Sequence, residues 1–455
     1  MKQKSWPKNK LVSKPNKGER VIIMIQEIKL KYGNEKMVLN MEAEKILQII
    51  ESNPVTFDKT EAEIIEDALA HPIGSARLCE LVHPDERVCI VIPDITRAWQ
   101  KTSLYLPRLV EELQQGGVKD ENIIFICALG THRRQTPEEH QLLLGSELAK
   151  RFTVIDHDCY DKNNLIYLGK TTYGTPIWIN KTAMECDHIV LAGGIVYHFL
   201  AGWAGGRKYI LPGISSYETV MANHSLSLNP VRGEGPHPDV RSGNIDNNLL
   251  HLDMLEAASF VRPTFLFNVI IAENRIAGAV AGNYITAHDK GRDMVDAIDG
   301  VCISEKADLV IASAGGSPKD VNLYQSIKTL INAREAAKPG GTIIILTECP
   351  EGLGGNAEVQ DMILKYDTVL KREDELRADY SISKYVGYYF CETAEKYDLI
   401  LVSSLDPNLL QKANIRIVKT LEEAMELVAD KNDETVKVHI MPQAANTLPR
   451  VEQGF

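Results

Sequence analysis

Three polar clusters each follow an apolar run: Asp94-Ile95-Thr96-Arg97 after VCIVIP, Gly130-Thr131-His132-Arg133-Arg134 after IIFICAL, and Gly193-Gly194-Ile195-Val196-Tyr197-His198 after HIVLA. Carboxylate, hydroxyl, guanidinium and imidazole groups together could hold an anion and move protons, because imidazole titrates near neutrality. Singly, each cluster has a plain structural reading. Asp94 or Thr96 could cap a helix, His132 could sit in a turn, and Gly193-Gly194 could form a tight bend. Their shared place after strand-like runs gives them weight as a set.

The glycine-dense segment AGWAGGRKYILPG (201–213) follows, with one arginine and one lysine. Glycines let backbone N–H groups approach an anion, so a phosphate or nucleotide cradle is one reading. The G-x-x-x-x-G-K-[ST] pattern is not met, since Lys208 precedes Tyr209, which disfavours an ordinary P-loop. Lys208 could instead be a covalent anchor or an exposed turn residue. His224 lies 16 residues beyond Lys208 with no second histidine at i+3 or i+4, so a metal here would need most of its ligands from elsewhere. SAGGSPKDVNLYQSIK (313–328) carries Tyr324, Gln325 and Lys328; a helix over about 321–337 would put Gln325 and Lys328 on one face. Asp156-His157-Asp158-Cys159 has metal-binding residue types but alternates direction if extended. His237 and His251 flank a polar loop and rate lower as candidates.

The elements that must position these residues alternate in type. Strand-like runs at 88–94, 122–130, 152–158 and 188–194 are separated by helix-like stretches at about 103–116 and 137–151. The rhythm restarts with strands at 308–316, 342–348 and 398–404, then a helix at 420–430 and a strand at 436–442. Buried strands alternating with amphipathic helices predict doubly wound parallel sheets, with ligands beyond the carboxyl ends of the strands. The expected fold class is therefore α/β: two α/β domains with largely parallel sheets and an interdomain active-site cleft.

At 455 residues, two domains are the default expectation. The first 20 residues carry seven basic residues and one acid, no apolar h-region of the kind a secretory signal requires follows them, and they are read as a disordered extension. The expected division is an extension over 1–23, an N-terminal α/β domain over 24–300 that regains 435–455, and a C-terminal α/β domain over 301–434, the first being the cofactor and catalytic domain on the family resemblance given below. A net charge of −12 argues against a general nucleic-acid or anionic-membrane surface. Eight scattered cysteines without a C-x-x-C pair match reduced thiols and a cytoplasmic setting.

The motifs DITR (94–97), ALGTHR (128–133), GGIVYHF (193–199), GGRKYILPG (205–213), NHS (223–225) and GGSPKDVNLYQSIK (315–328) resemble, in order and spacing, the nickel-pincer-nucleotide lactate racemases and related 2-hydroxyacid racemases and epimerases. The resemblance runs from about residue 24 to the C-terminus. It implies a Ni(II) pyridinium-3,5-bisthiocarboxylic acid mononucleotide covalently attached to Lys208, with His224 as the protein's nickel ligand and Asp94, Ile95, Thr96 and Arg97 around the cofactor. It further implies that His132 and His198 are the acid/base pair, and that Arg97, Tyr324, Gln325 and Lys328 contact the substrate. The implied partners are a small 2-hydroxyacid and the enzymes that synthesise the cofactor. Ala98-Trp99 follows DITR where the lactate enzymes usually have proline, and Lys319 stands beside a strand end. Both departures leave a larger or sugar-derived 2-hydroxyacid, of the malate or gluconate type, as the alternative substrate. A dissociable dinucleotide would need G-x-G-x-x-G after a strand, which is absent. A non-catalytic nucleotide-binding regulator is the more distant alternative.

Overall fold

The computed structural model describes residues 8–16, 19–429 and 436–452. The chain forms two compact units, one of 54–229 with 236–298, the other of 1–53 with 230–235 and 299–455. Among the described residues no helix is long and apolar enough to cross a membrane.

The 54–298 unit holds a six-stranded sheet in the order Arg275–Gly282, Phe265–Ala272, His188–Gly194, Val88–Pro93, Ile123–Ala128, Thr153–Asp156. Only the Arg275–Gly282 edge strand is antiparallel. Val88–Pro93 is buried along its whole length, as expected for a parallel strand covered on both faces. In chain order the arrangement is 3-2-1-4-5-6, so the order reverses between Val88–Pro93 and His188–Gly194. A crevice opens at such a reversal, beyond the carboxyl ends of the strands. Helix Thr102–Gln115 buries Tyr105, Leu106, Leu109, Val110 and Leu113, a helical stripe facing the sheet. Tyr105 packs on Phe267 with ring centroids 5.0 Å apart. The stretch expected as one helix over 137–151 is two, Pro137–Leu144 and Ser146–Arg151, because Gly145 takes a φ of 82° that an α-helix cannot contain.

The other unit holds a wholly parallel six-stranded sheet, Arg416–Val418, Asp398–Val402, Ala337–Leu346, Ala307–Ser313, Val438–Met441, Ile46–Ile49. Here the structure corrects the expected division. Val438–Met441 does not return to the first domain; its buried Val438, Ile440 and Met441 need cover on both faces, and the strand lies between Ala307–Ser313 and Ile46–Ile49. Leu448–Val451 likewise pairs with Gly300–Ile303 of the same unit. Residues 24–53 also belong here: Glu19–Tyr32 and Glu35–Glu42 form an antiparallel sheet whose Ile28, Leu30, Leu39 and Met41 join the core of Leu309, Ile311 and Ile344. The expected disordered extension is corrected over 8–16, which pairs with Glu19–Glu27 in a backbone ladder. Residues 1–7, 17 and 18 lie outside the described residues. The expected helix over 321–337 begins only at Ile327. Before it, the Asn322 side chain accepts the Gln325 amide, closing a turn, so Gln325 and Lys328 do not share a helix face.

Candidate functional site

Asp94 follows Val88–Pro93 and precedes the 3-10 turn Ile95–Gln100, but its side chain does not cap that turn. Its carboxylate instead accepts from Thr96 Oγ1 at 2.6 Å and from His132 Nδ1. Burial pushes this carboxyl up, yet the hydrogen bonds from His132 and Thr96 and the charge of Arg97 outweigh it and hold it below the usual range. Asp94 is thus an ionised acceptor, so His132 donates from Nδ1, and in the neutral ring the lone pair is on Nε2. His132 is half exposed, beyond the carboxyl end of the neighbouring strand Ile123–Ala128.

His198 has the opposite arrangement. It lies on the short antiparallel pair Tyr197–His198 and Gly202–Trp203, and its Nδ1 faces two backbone donors, Leu200 N–H at 3.2 Å and Ala201 N–H at 3.1 Å. Nδ1 must therefore accept, and in the neutral ring the proton is on Nε2.

Gly193 and Gly194 are neither a bend nor a ligand cradle. A Cβ on Gly193 would lie 1.6 Å from the Tyr209 hydroxyl. That hydroxyl accepts the Gly194 amide at 3.0 Å and donates to Gln100 Oε1 at 3.4 Å. The turn Gly206–Tyr209 is thereby seated against the central strand, and the Gly206 amide donates to Asn268 Oδ1 at 3.0 Å. This turn carries Lys208. Burial, with the charges of Arg207 and Arg97, lowers the Lys208 ammonium to about 7. His224, buried in helix Tyr217–Ser225, donates Nδ1–H to Val220 O at 2.9 Å. Burial and the charge of Lys208 lower it to about 3, so it stays a neutral imidazole with its lone pair on Nε2.

Ile95 donates its amide to Gln135 Oε1 at 2.6 Å, and Arg97 Nη1 donates to Thr96 Oγ1 at 3.0 Å. The structure thus couples Asp94, Thr96, Arg97, His132, Lys208 and His224 through hydrogen bonds or charge. In the other unit, Tyr324 is half-buried and its amide donates to Leu353 O at 2.9 Å, while Gln325 and Lys328 are exposed around the start of helix Ile327–Ala336. Gln100, Gln135, Tyr209 and Asn268 are positioning residues that the sequence motifs did not single out. Only Asn268 carried a signal, as the one polar residue in FLFNVIIA.

Two family models match the chain: the lactate racemase N-terminal domain over residues 32–235 and the lactate racemase C-terminal domain over residues 303–448. A curated lactate racemase of Thermoanaerobacterium thermosaccharolyticum is 31% identical over 437 residues, covering 93% of this chain and 99% of that one. One from Lactiplantibacillus plantarum is 31% identical over 432 residues, covering 92% and 99%. The solved lactate racemase apoprotein of T. thermosaccharolyticum matches with a TM-score of 0.85 at 29% identity, covering 93% of this chain and 100% of that one. A crystal structure of a Thermotoga maritima protein, 18% identical with a TM-score of 0.60 over 88% of this chain and 100% of that one, shares the fold.

Proposed function

The chain belongs to the lactate racemase family and is a racemase, an isomerase, and on that premise we propose that it inverts C2 of a 2-hydroxyacid through a 2-keto acid. The C2–H of such an acid is a poor proton donor, so hydrogen leaves carbon as hydride while a base takes the hydroxyl proton. Lactate is the first candidate substrate, since both curated relatives are named for it. A larger or sugar-derived 2-hydroxyacid is the second reading, favoured by Trp99, which is 40% exposed two residues from Arg97.

The observation that carries the reading is the opposed hydrogen bonding of the two imidazoles. Asp94 leaves His132 with a base at Nε2, whereas the Leu200 and Ala201 amides leave His198 with an N–H at Nε2. One ring takes the hydroxyl proton from one enantiomer; once the planar keto acid has turned, the other returns a proton to its oxygen. The pair then resets with solvent. The Arg97 guanidinium suits the substrate carboxylate. The substrate-contact role of Tyr324, Gln325 and Lys328 rests on the sequence resemblance.

The residues present fit a nickel-pincer nucleotide. An amine that titrates near 7 is available for acylation at neutral pH, and a neutral His224 Nε2 can serve as the one protein ligand of a nickel otherwise held by the cofactor. Ile95, Thr96 and Arg97 would line the cofactor, and the Asp94 carboxylate is better read as orienting His132. When bound, the group would supply the hydride acceptor and donor. Loading would require the cofactor-synthesis enzymes as partners, and the eight free thiols favour the reducing cytoplasm as the setting.

In D2O the loaded enzyme should invert lactate, or the best substrate from a 2-hydroxyacid panel, without placing deuterium at C2. Deuterium gained at each turnover would mean proton abstraction at carbon and would overturn the hydride reading. His132→Ala and His198→Ala should each lower inversion by ~10²–10⁴-fold.

A further inference from the structure

Asp156 ends the edge strand Thr153–Asp156, and its Cα partner in the parallel ladder is Cys127. Residues paired in this way put their side chains on one face of the sheet, about 4.8 Å apart. Helix Pro137–Leu144 brings His140 to the same place, with its Nε2 2.9 Å from Asp156 Oδ1. Cys127 Sγ, a His140 ring nitrogen and an Asp156 carboxylate oxygen all lie within 4.8 Å of one another. Cys127 is fully buried, and the His140 and Asp156 side chains are only 20% and 12% exposed. The run Asp156-His157-Asp158-Cys159 does not itself converge: His157 is bonded to Ser215 O and Asn180 Nδ2, and Asp158 pairs with Arg134.

We propose that Cys127, His140 and Asp156 form a site for a divalent cation of the zinc class, separate from the Lys208 and His224 region. One thiolate, one imidazole and one carboxylate are the donor mixture that a borderline-soft, tetrahedral cation takes, whereas magnesium or calcium would require oxygen. Tetrahedral bonds of about 2.0–2.3 Å put ligand atoms roughly 3.3–3.8 Å apart, so three groups from three elements already stand near that spacing. The fourth position falls to water on the partly exposed side of His140. Binding replaces the thiol proton, which leaves to solvent, and breaks the His140–Asp156 hydrogen bond.

The alternative is a buried thiol beside a histidine–carboxylate pair, and burial together with the Asp156 charge does push the metal-free Cys127 thiol up. That alternative makes Cys127 a small apolar side chain of the core, and the two readings differ in whether the thiol yields its proton to a cation. The site reaches the catalytic loop directly. Asp156 Oδ2 accepts the Gln135 amide at 2.8 Å, and Gln135 Oε1 accepts the Ile95 amide at 2.6 Å. A cation holding Asp156 would brace the segment that carries His132.

The test is a Co²⁺ titration of the full chain made in a host without the cofactor pathway. The expected result is one equivalent per chain with a thiolate-to-cobalt charge-transfer band in the near ultraviolet, bleached by Zn²⁺. Cys127→Ser should lose the band, and the more exposed His140→Ala should weaken cobalt binding at least tenfold. No band in the wild-type chain, a band retained by Cys127→Ser, or unchanged affinity in His140→Ala would each overturn the proposal. None of these readouts depends on racemase activity.

Discussion

Lys208 shows what one residue's surroundings contribute. Its ammonium is lowered from 10.5 to about 7, because it is buried and faces Arg207 and Arg97. Between those two values the unfolded chain binds the extra proton, so the stability of the unloaded protein rises with pH across that window and is lowest below 7. Lys208→Met removes the burden. The variant should therefore withstand more urea than the wild type at pH 6, with the difference shrinking toward pH 10. An equal difference at both pH values would show that the side chain matters through packing alone. His132 and His198 were legible in the sequence because each stands in a polar cluster after an apolar run, and Lys208 because it lies in a glycine-dense segment, whereas the lone His224 was marked by the family resemblance. Their protonation was not legible. Asp94 and His132 lie 38 positions apart, and only the parallel pairing of their strands brings carboxylate and imidazole together.

At the scale of elements, the anchor turn is held by the fit of Gly193 to Tyr209. Gly193→Ala would force the hydroxyl off the Gly194 amide and tilt the Gly206–Tyr209 turn that carries Lys208. Overpacking of this kind costs about 1–3 kcal/mol. For a domain of this size the expected loss is several degrees of melting temperature, at about 2–4 °C per kcal/mol. Calorimetry checks it, and an unchanged melting temperature would show that the turn rests on other contacts. The strands were readable from their continuous apolar runs, since the strands central to the parallel sheets are covered on both faces. The start of helix Ile327–Ala336 was not, because the Asn322 side chain closes a turn where periodicity alone would continue the helix. The pairing of 8–16 with 19–27 was missed for a related reason: a basic stretch reads as tail, although a backbone ladder needs only a partner strand.

For the whole molecule, the two units should respond differently to acid. Burial holds His157 below its ordinary value, lowers His224 and His288 to about 3 and His251 to about 2, and all four lie in the unit of 54–229 and 236–298. Each stays neutral in the fold but takes a proton when unfolded below about 6.5, so stability falls as pH drops through that value. The loss is about 1.4 kcal/mol per pH unit for each of His224, His251 and His288, and His157 adds to it in the same direction. In the other unit the depressed groups include Asp308, Glu373 and Asp374, carboxylates whose unfolded forms protonate only near pH 4. Both units lose stability below that point, but between pH 6.5 and 5 the histidine term acts and the carboxylates remain ionised in either state. Hydrogen exchange of the unloaded chain over this range should therefore show strands Val88–Pro93 and His188–Gly194 losing protection before Ala307–Ser313 and Ala337–Leu346. Simultaneous loss would mean that the units unfold as one cooperative body, and the reverse order would mean that the buried histidines are not the acid-sensitive groups.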